Sequence, residues 1–246
     1  MKKNFFGLVI FVLTACQPST PALPDSLFPT ATFRSTIAPV TSTLQPTQTF
    51  EPSPTALPRF FTNEFNNSPA GWVILLAGNE SVPNVKTENG SLVLEMDSPF
   101  TWLYALYAPE DYADVRIDVL FQNRAGTSAS AGLVCRYNEA DGWFEFNVSA
   151  DGSYNLLYGK WLSPGISDYR PIADGSSKLI QPSGARQRIG LICSESTLTL
   201  FVDATVLRKV DVSRYKLGEG KVGIAAASYE NIPVVAGFDW VKVSAP

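Results

Sequence analysis

Short runs in which apolar and polar residues alternate dominate the chain after residue 58, and this two-residue period constrains the fold more than any other feature. In Val115-Arg116-Ile117-Asp118-Val119-Leu120-Phe121, alternation puts Val115, Ile117, Val119 and Phe121 on one face. In Trp143-Phe144-Glu145-Phe146-Asn147-Val148 it turns Phe144, Phe146 and Val148 inward and Glu145 and Asn147 outward. The runs 197–202 and 236–243 behave the same way. The dipeptides Asp141-Gly142, Asp151-Gly152 and Asp174-Gly175 read as turns between strands, because glycine tolerates positive φ. No segment of a dozen residues carries a helical period. The 188 residues of 59–246 are enough for one domain with a substantial core. Many short antiparallel strands at this spacing predict an all-β fold, a two-sheet antiparallel β-sandwich.

The first 58 residues follow other rules. Lys2 and Lys3 precede an apolar run, Phe5 to Leu13, that is too short to span about 30 Å of hydrocarbon, so 1–15 reads as a signal peptide. Leu13-Thr14-Ala15-Cys16 resembles the bacterial lipobox, which implies cleavage before Cys16 and its lipidation. An ordinary signal peptide with an unrelated cysteine is the other reading. Gln17 stands where lipoproteins retained at an inner membrane carry Asp, so the resemblance implies an outer-membrane location if the host has one. Residues 16–58 form a linker: its last 42 residues hold nine Pro and 14 Ser or Thr, and only Asp25, Arg34 and Glu51 are charged. Such a composition cannot offset the entropy of ordering. Fully extended, the linker would reach about 130 Å. The expected location is extracytoplasmic, with the membrane as partner through the lipid.

Composition removes whole mechanisms. The chain has no histidine, so neither a Ser-His-Asp nor a Cys-His nucleophile can be assembled, and no His-ligated zinc site can form. Within 59–246 there are 16 basic and 21 acidic residues, an electrostatic balance that argues against nucleic acid. With Cys16 given to lipid, Cys135 and Cys193 remain. In an oxidising compartment they favour one disulfide, two separate buried thiols being the alternative.

Phe60-Phe61-Thr62-Asn63-Glu64-Phe65 followed by Gly71-Trp72 resembles the opening strand of concanavalin A-like (laminin G-like) jelly rolls. So do Gly132–Tyr137 with Trp143–Phe146, the run Leu198–Asp203, and the closing Gly220–Ile224 and Phe238–Val243. Where these folds usually place an Asn-Gly turn, this chain has Asp203-Ala204. The resemblance covers nearly all of 59–246 and implies the jelly-roll sandwich, in a superfamily of lectins, glucanases and 3-keto-disaccharide hydrolases. It carries no catalytic identity. The glucanases need a Glu-x-Asp-x-Glu strand that sets three carboxylates on one face. Glu95-Met96-Asp97 is broken by Pro99 and Glu139-Ala140-Asp141 by Trp143.

The expected binding face gathers Arg136, Trp143, Glu145 and Asn147, which share one parity on two neighbouring strands. An aromatic ring beside hydrogen-bonding groups is what a sugar requires. The plainer reading makes Trp143 packing and the rest solvated strand positions. Tyr158, Trp161 and Tyr169 are expected in or near an irregular loop, 159–184, as a possible aromatic rim. Trp102, Tyr104 and Tyr107 are expected to straddle a strand. Arg186, Arg188, Arg208 and Lys209 read as solvated. Asp111, Asp114, Asp151, Asp168 and Asp174 are too dispersed to offer a calcium ligand set. The expectation is therefore a non-catalytic surface module for glycan recognition or adhesion, with no cofactor or metal. The alternatives are a glycoside-acting enzyme using Glu145 and Asp239, and a structural or protein-interaction lipoprotein of the envelope.

Overall fold

The computed structural model describes residues 57–79, 81–125 and 130–246, all within one compact unit, Ser53–Pro246. The signal segment 1–15, Cys16, Gln17 and nearly all of the 16–58 linker lie outside the described residues.

The strands are β1 (Phe61–Asn63), β2 (Trp72–Gly78), β3 (Asn84–Glu88), β4 (Ser91–Met96), β5 (Thr101–Tyr112), β6 (Val115–Asn123) and β7 (Ser130–Asn138). They continue with β8 (Gly142–Ser149), β9 (Ser153–Ser163), β10 (Ile166–Ser176), β11 (Arg186–Ser194), β12 (Thr197–Val202), β13 (Thr205–Asp211), β14 (Gly220–Ser228) and β15 (Val234–Ser244). One antiparallel sheet has the order β13-β12-β11-β6-β15-β4-β3, with β1 also paired to β15. The other runs β10-β9-β8-β7-β14-β5-β2.

The expected alternation sets the core. Val115, Ile117, Val119 and Phe121 of β6 and Phe144, Phe146 and Val148 of β8 all belong to one buried cluster between the sheets. Cys135 on β7 and Cys193 on β11 are bonded, so the disulfide joins one sheet to the other. The Asp203-Ala204 turn closes the β12–β13 hairpin with both residues at positive φ, 46° and 67°. That is the geometry for which Asn-Gly is the usual choice.

Two expectations fail between residues 153 and 176. The segment expected as an irregular loop from 159 contains the end of β9 and all of β10, a long hairpin turned by Pro164-Gly165. Asp174-Gly175 is not a turn but lies inside β10, where a Cβ on Gly175 would sit 2.7 Å from the Tyr154 hydroxyl. β9 carries apolar residues on both faces, Tyr154 and Leu156 in the core and Trp161 against the second cluster, while β10 is an edge strand with many exposed positions, so neither offers a clean alternation. Pro171 is tolerated because β10 is an edge strand, bulged between Pro171 and Ala173.

This hairpin also shapes the sheet. β2 and β10 form opposite edges and share no ladder, yet Gly78 N–H donates to the Gly165 carbonyl at 3.0 Å. The seven-stranded sheet therefore curls until its edges meet, and its outer face becomes a covered concave face.

Candidate functional site on the concave face

Trp143, Glu145 and Asn147 project from β8 onto the concave face, as their parity requires. They are not solvated: Trp143 and Glu145 are 0% exposed and Asn147 is 1% exposed. Alternation specifies which residues turn away from the core, not what covers them. Here the cover is the β9–β10 hairpin, with Tyr169 packed against a second apolar cluster that includes Tyr104 and Trp143.

Glycines on the neighbouring strands make the room. A Cβ on Gly159, opposite Trp143, would fall 2.3 Å from the Trp143 indole. A Cβ on Gly132, opposite Asn147, would fall 2.1 Å from Asn147 Oδ1. The large side chains can lie flat only because these positions have none.

Glu145 is the hub. Its Oε2 accepts from the Tyr104 hydroxyl at 2.9 Å and from Trp143 Nε1 at 3.1 Å. Its Oε1 accepts from Asn147 Nδ2 at 2.7 Å, and the same amide reaches Asn155 Oδ1 at 3.2 Å. The Tyr104 and Tyr169 hydroxyls are also hydrogen-bonded. Since Tyr104 gives its proton to Glu145, Tyr169 is the donor of that pair. Burial pushes the Glu145 carboxyl above the ordinary range, against the pull of the donors from Asn147, Trp143 and Tyr104. Burial likewise lifts the Tyr104 hydroxyl well above its ordinary value.

Arg136 is not part of this group. It sits at φ 52°, where the β7–β8 register shifts between Cys135 and Asn138. The bulge exchanges two directions. Arg136 Nε and Nη2 donate to the Ala113 carbonyl at 3.0 and 2.9 Å, and Nη1 to the Leu217 carbonyl at 3.3 Å, at the end of the sandwich. Tyr137, which simple alternation would turn into the core, lies against the concave side instead, its ring centroid 5.4 Å from that of Trp143.

Tyr137 opens onto a pocket that Trp161 shares. A cavity of about 320 Å³ lies between the hairpin tip and β2, lined by Leu75, Tyr137, Glu139, Trp161, Ser163 and neighbouring residues. Trp161 Nε1 donates to the Tyr137 hydroxyl at 2.8 Å, and the Trp161 ring packs 5.2 Å from that of Trp143. The half-buried pair Tyr137 and Trp161 thus rests on buried Trp143, which Glu145 holds through the indole N–H. The alternating pattern of the strands offered no signal for Tyr137 or Glu139, because the bulge that turns Tyr137 outward is a backbone feature.

Trp102 and Tyr104 face the concave side while Tyr107 joins the core, so the three do straddle β5. Tyr158 packs on Phe144 and Tyr215, away from the pocket. Asp239 lies on β15, in the other sheet, where it accepts from Ser91 and pairs with Arg186. It therefore forms no carboxylate pair with Glu145. Arg188 and Arg116 both bind buried Asp118. Burial opposes ionisation of that carboxylate, but the hydrogen bonds from Arg116 and Arg188 prevail and hold it below its ordinary range. Arg208 donates to the Asp174 carbonyl. Among the described residues no group of three acidic or cysteine side chains is placed to hold a metal ion.

Neither a family model nor a curated protein sequence matches the chain. Solved structures do match its fold. A Bacillus licheniformis β-glucanase aligns with a TM-score of 0.53 and 12% identity, over 76% of this chain and 98% of its own. A Bacillus subtilis protein of unknown function with a galectin-like fold aligns at 0.56 and 14%, over 75% and 94%. The carbohydrate-binding module CBM66 of Bacillus subtilis aligns at 0.50 and 13%, over 69% and 92%. The domain is a concanavalin A-like jelly-roll sandwich, as the strand signatures implied. At these identities the likeness is one of fold.

Proposed function

We propose that this chain is an extracytoplasmic lipoprotein, anchored through Cys16, whose sandwich binds a glycan without hydrolysing it. The observation that carries the glycan reading is the open pocket of Trp161, Tyr137 and Glu139 on the concave side. Rings for the C–H faces of a sugar, with a carboxylate and hydroxyls at their edge, are the groups such a ligand needs. Glycan recognition is also common to the β-glucanase and the carbohydrate-binding module that share the fold.

Binding is favoured over turnover by the carboxylates. Glycosidases flank the scissile bond with two carboxyl groups, about 5 to 9.5 Å apart. Glu145 is sealed, and its hydrogen-bond partners, Tyr104, Trp143 and Asn147, are all neutral. Its part is positional: it fixes Trp143, on which Trp161 and Tyr137 rest. The lipobox and the linker supply the surface location, at the outer membrane where the host has one. The acidic balance leaves nucleic acid outside the reading, and no cofactor enters it.

A glycan array probed with the full chain, followed by calorimetry on the best binder, tests this reading. Trp161→Ala should lower the affinity at least about tenfold, the loss of one stacking platform, with the fold unchanged by circular dichroism. No binding, or an affinity that ignores Trp161, would overturn it.

A further inference from the structure

Resting on the glycan reading, we infer that the face beneath the β9–β10 hairpin is a second, covered saccharide subsite, and that the hairpin is its door. Tyr169 occupies this subsite in the way a sugar would. Its ring stacks on Trp102 at 5.3 Å between centroids with a 28° interplanar angle, and its hydroxyl donates to Tyr104. A pyranose offers the same two elements, an apolar face and a hydroxyl.

The groups around Tyr169 extend that match. Asn147 Oδ1 is buried with no hydrogen-bond partner, an acceptor that the protein itself leaves unused. Glu145 and Asn155 stand beside it on β8 and β9. The central strands β7 and β14 contribute Gly132, Val134 and Ala225 to this face, all smaller than the Tyr104 and Trp143 rings that flank them on β5 and β8. A ligand that displaced Tyr169 would meet the freed face of Trp102, the Tyr104 hydroxyl and the acceptor of Asn147. That set selects a neutral sugar ring with adjacent hydroxyls.

The hairpin is fastened lightly. No ladder joins β10 to β2, and the backbone contact across that gap is the bond from Gly78 N–H to the Gly165 carbonyl. The register of β10 against β9 shifts between Ile166 and Ser167 and between Pro171 and Ala173, two places where the strand can bend without tearing a regular ladder. Beyond the first of these, the tip presents Leu162 at 70% and Ile166 at 58% exposure, so lifting it uncovers little that is now buried there. The hairpin's other attachments are the β8–β9 ladder, about which it would hinge, and the rings of Tyr169 and Trp161, whose contacts a sugar on the same face would replace.

Amide hydrogen exchange of the full chain, native and Tyr169→Phe, tests the door without any ligand. The variant keeps the ring on Trp102 and removes the hydroxyl tie. The Gly78 amide, whose bond to Gly165 breaks when the hairpin lifts, should exchange faster than the amides of β8, and at least threefold faster again in Tyr169→Phe. Exchange of the Gly78 amide only with global unfolding, in both proteins alike, would overturn the door. Titration with a β-1,3-1,4-glucan tetrasaccharide tests the subsite: Tyr169→Phe should bind it at least threefold more tightly than the native chain. Binding that depends on Trp161 but is unchanged or weakened by Tyr169→Phe overturns the covered subsite alone. No binding by either protein overturns the subsite and the glycan reading together.

Discussion

Replacing Glu145 with glutamine separates the charge of the buried carboxyl from its hydrogen bonds. The amide keeps an oxygen for Tyr104 and Trp143, and its NH₂ group falls where Oε1 now meets Asn147. Turning the Asn147 amide over would present its unused Oδ1 to that NH₂, and turning the Asn155 amide with it would restore the bond between the two, so the network can close again without a charge. The native carboxyl is fully buried and its pKa is raised from the ordinary 4.5. Below that value the folded and unfolded chains both hold the proton, and the native protein has its full stability. Above it the unfolded chain releases the proton first, so stability falls as pH rises until the folded pKa is passed. The slope for one group is about 1.4 kcal/mol per pH unit. The other titrating groups are common to both proteins and cancel in the difference. Urea denaturation of the native chain and Glu145→Gln, at half-unit steps from pH 4 to pH 8 with the disulfide intact, reads this directly. The variant should gain on the native protein by about 1.4 kcal/mol per pH unit from near pH 4.5 upward, then run parallel. Parallel curves throughout would refute the raised pKa. A variant that loses ground with rising pH would mean that the three donors hold the carboxylate charged.

Other consequences are as definite. Cys135 and Cys193 are 58 residues apart, and loop closure over that length contributes about 4 kcal/mol, so Cys135→Ala with Cys193→Ala should lower the urea-derived stability by about that amount. An unchanged urea midpoint would show that the bridge constrains nothing. Ala204→Gly should stabilise the β12–β13 hairpin by about 0.5–1 kcal/mol, the relief of a left-handed alanine exceeding the added freedom of the unfolded chain. A lower midpoint in urea would contradict the turn geometry. Metabolic labelling with an alkyne fatty acid in the native host should mark the chain and be lost in Cys16→Ala; equal labelling of both would remove Cys16 as the anchor.

The parts of the fold that could be read from the residues are those with one face in the core and one face polar. β6 and β8 announced their inward sides through Val115, Ile117, Phe144 and Phe146, and the two sheets follow from many such strands. β9 was hidden for the opposite reason: Leu156 and Leu157, or Tyr158 and Trp161, are apolar on both sides because the strand has the core on one face and the concave side on the other. At the site, parity brought Trp143, Glu145 and Asn147 together. It could not announce that they would be sealed, since the seal is a contact between strands at opposite edges of one sheet. Nor could it place Arg136 and Tyr137, whose directions are exchanged by a single left-handed residue. The broken Glu-x-Asp-x-Glu runs at Glu95 and Glu139 were visible in the letters.

The central claim is that the concave side holds an intact glycan on the Trp161 and Tyr137 rings. A crystal structure of the full chain soaked with the tightest oligosaccharide found on the glycan array tests it most directly. The account predicts an uncleaved sugar ring lying on Trp161 and Tyr137 with Glu139 at its hydroxyls. An oligosaccharide bound elsewhere, no bound sugar at saturating concentration, or a cleaved product in the pocket would contradict it.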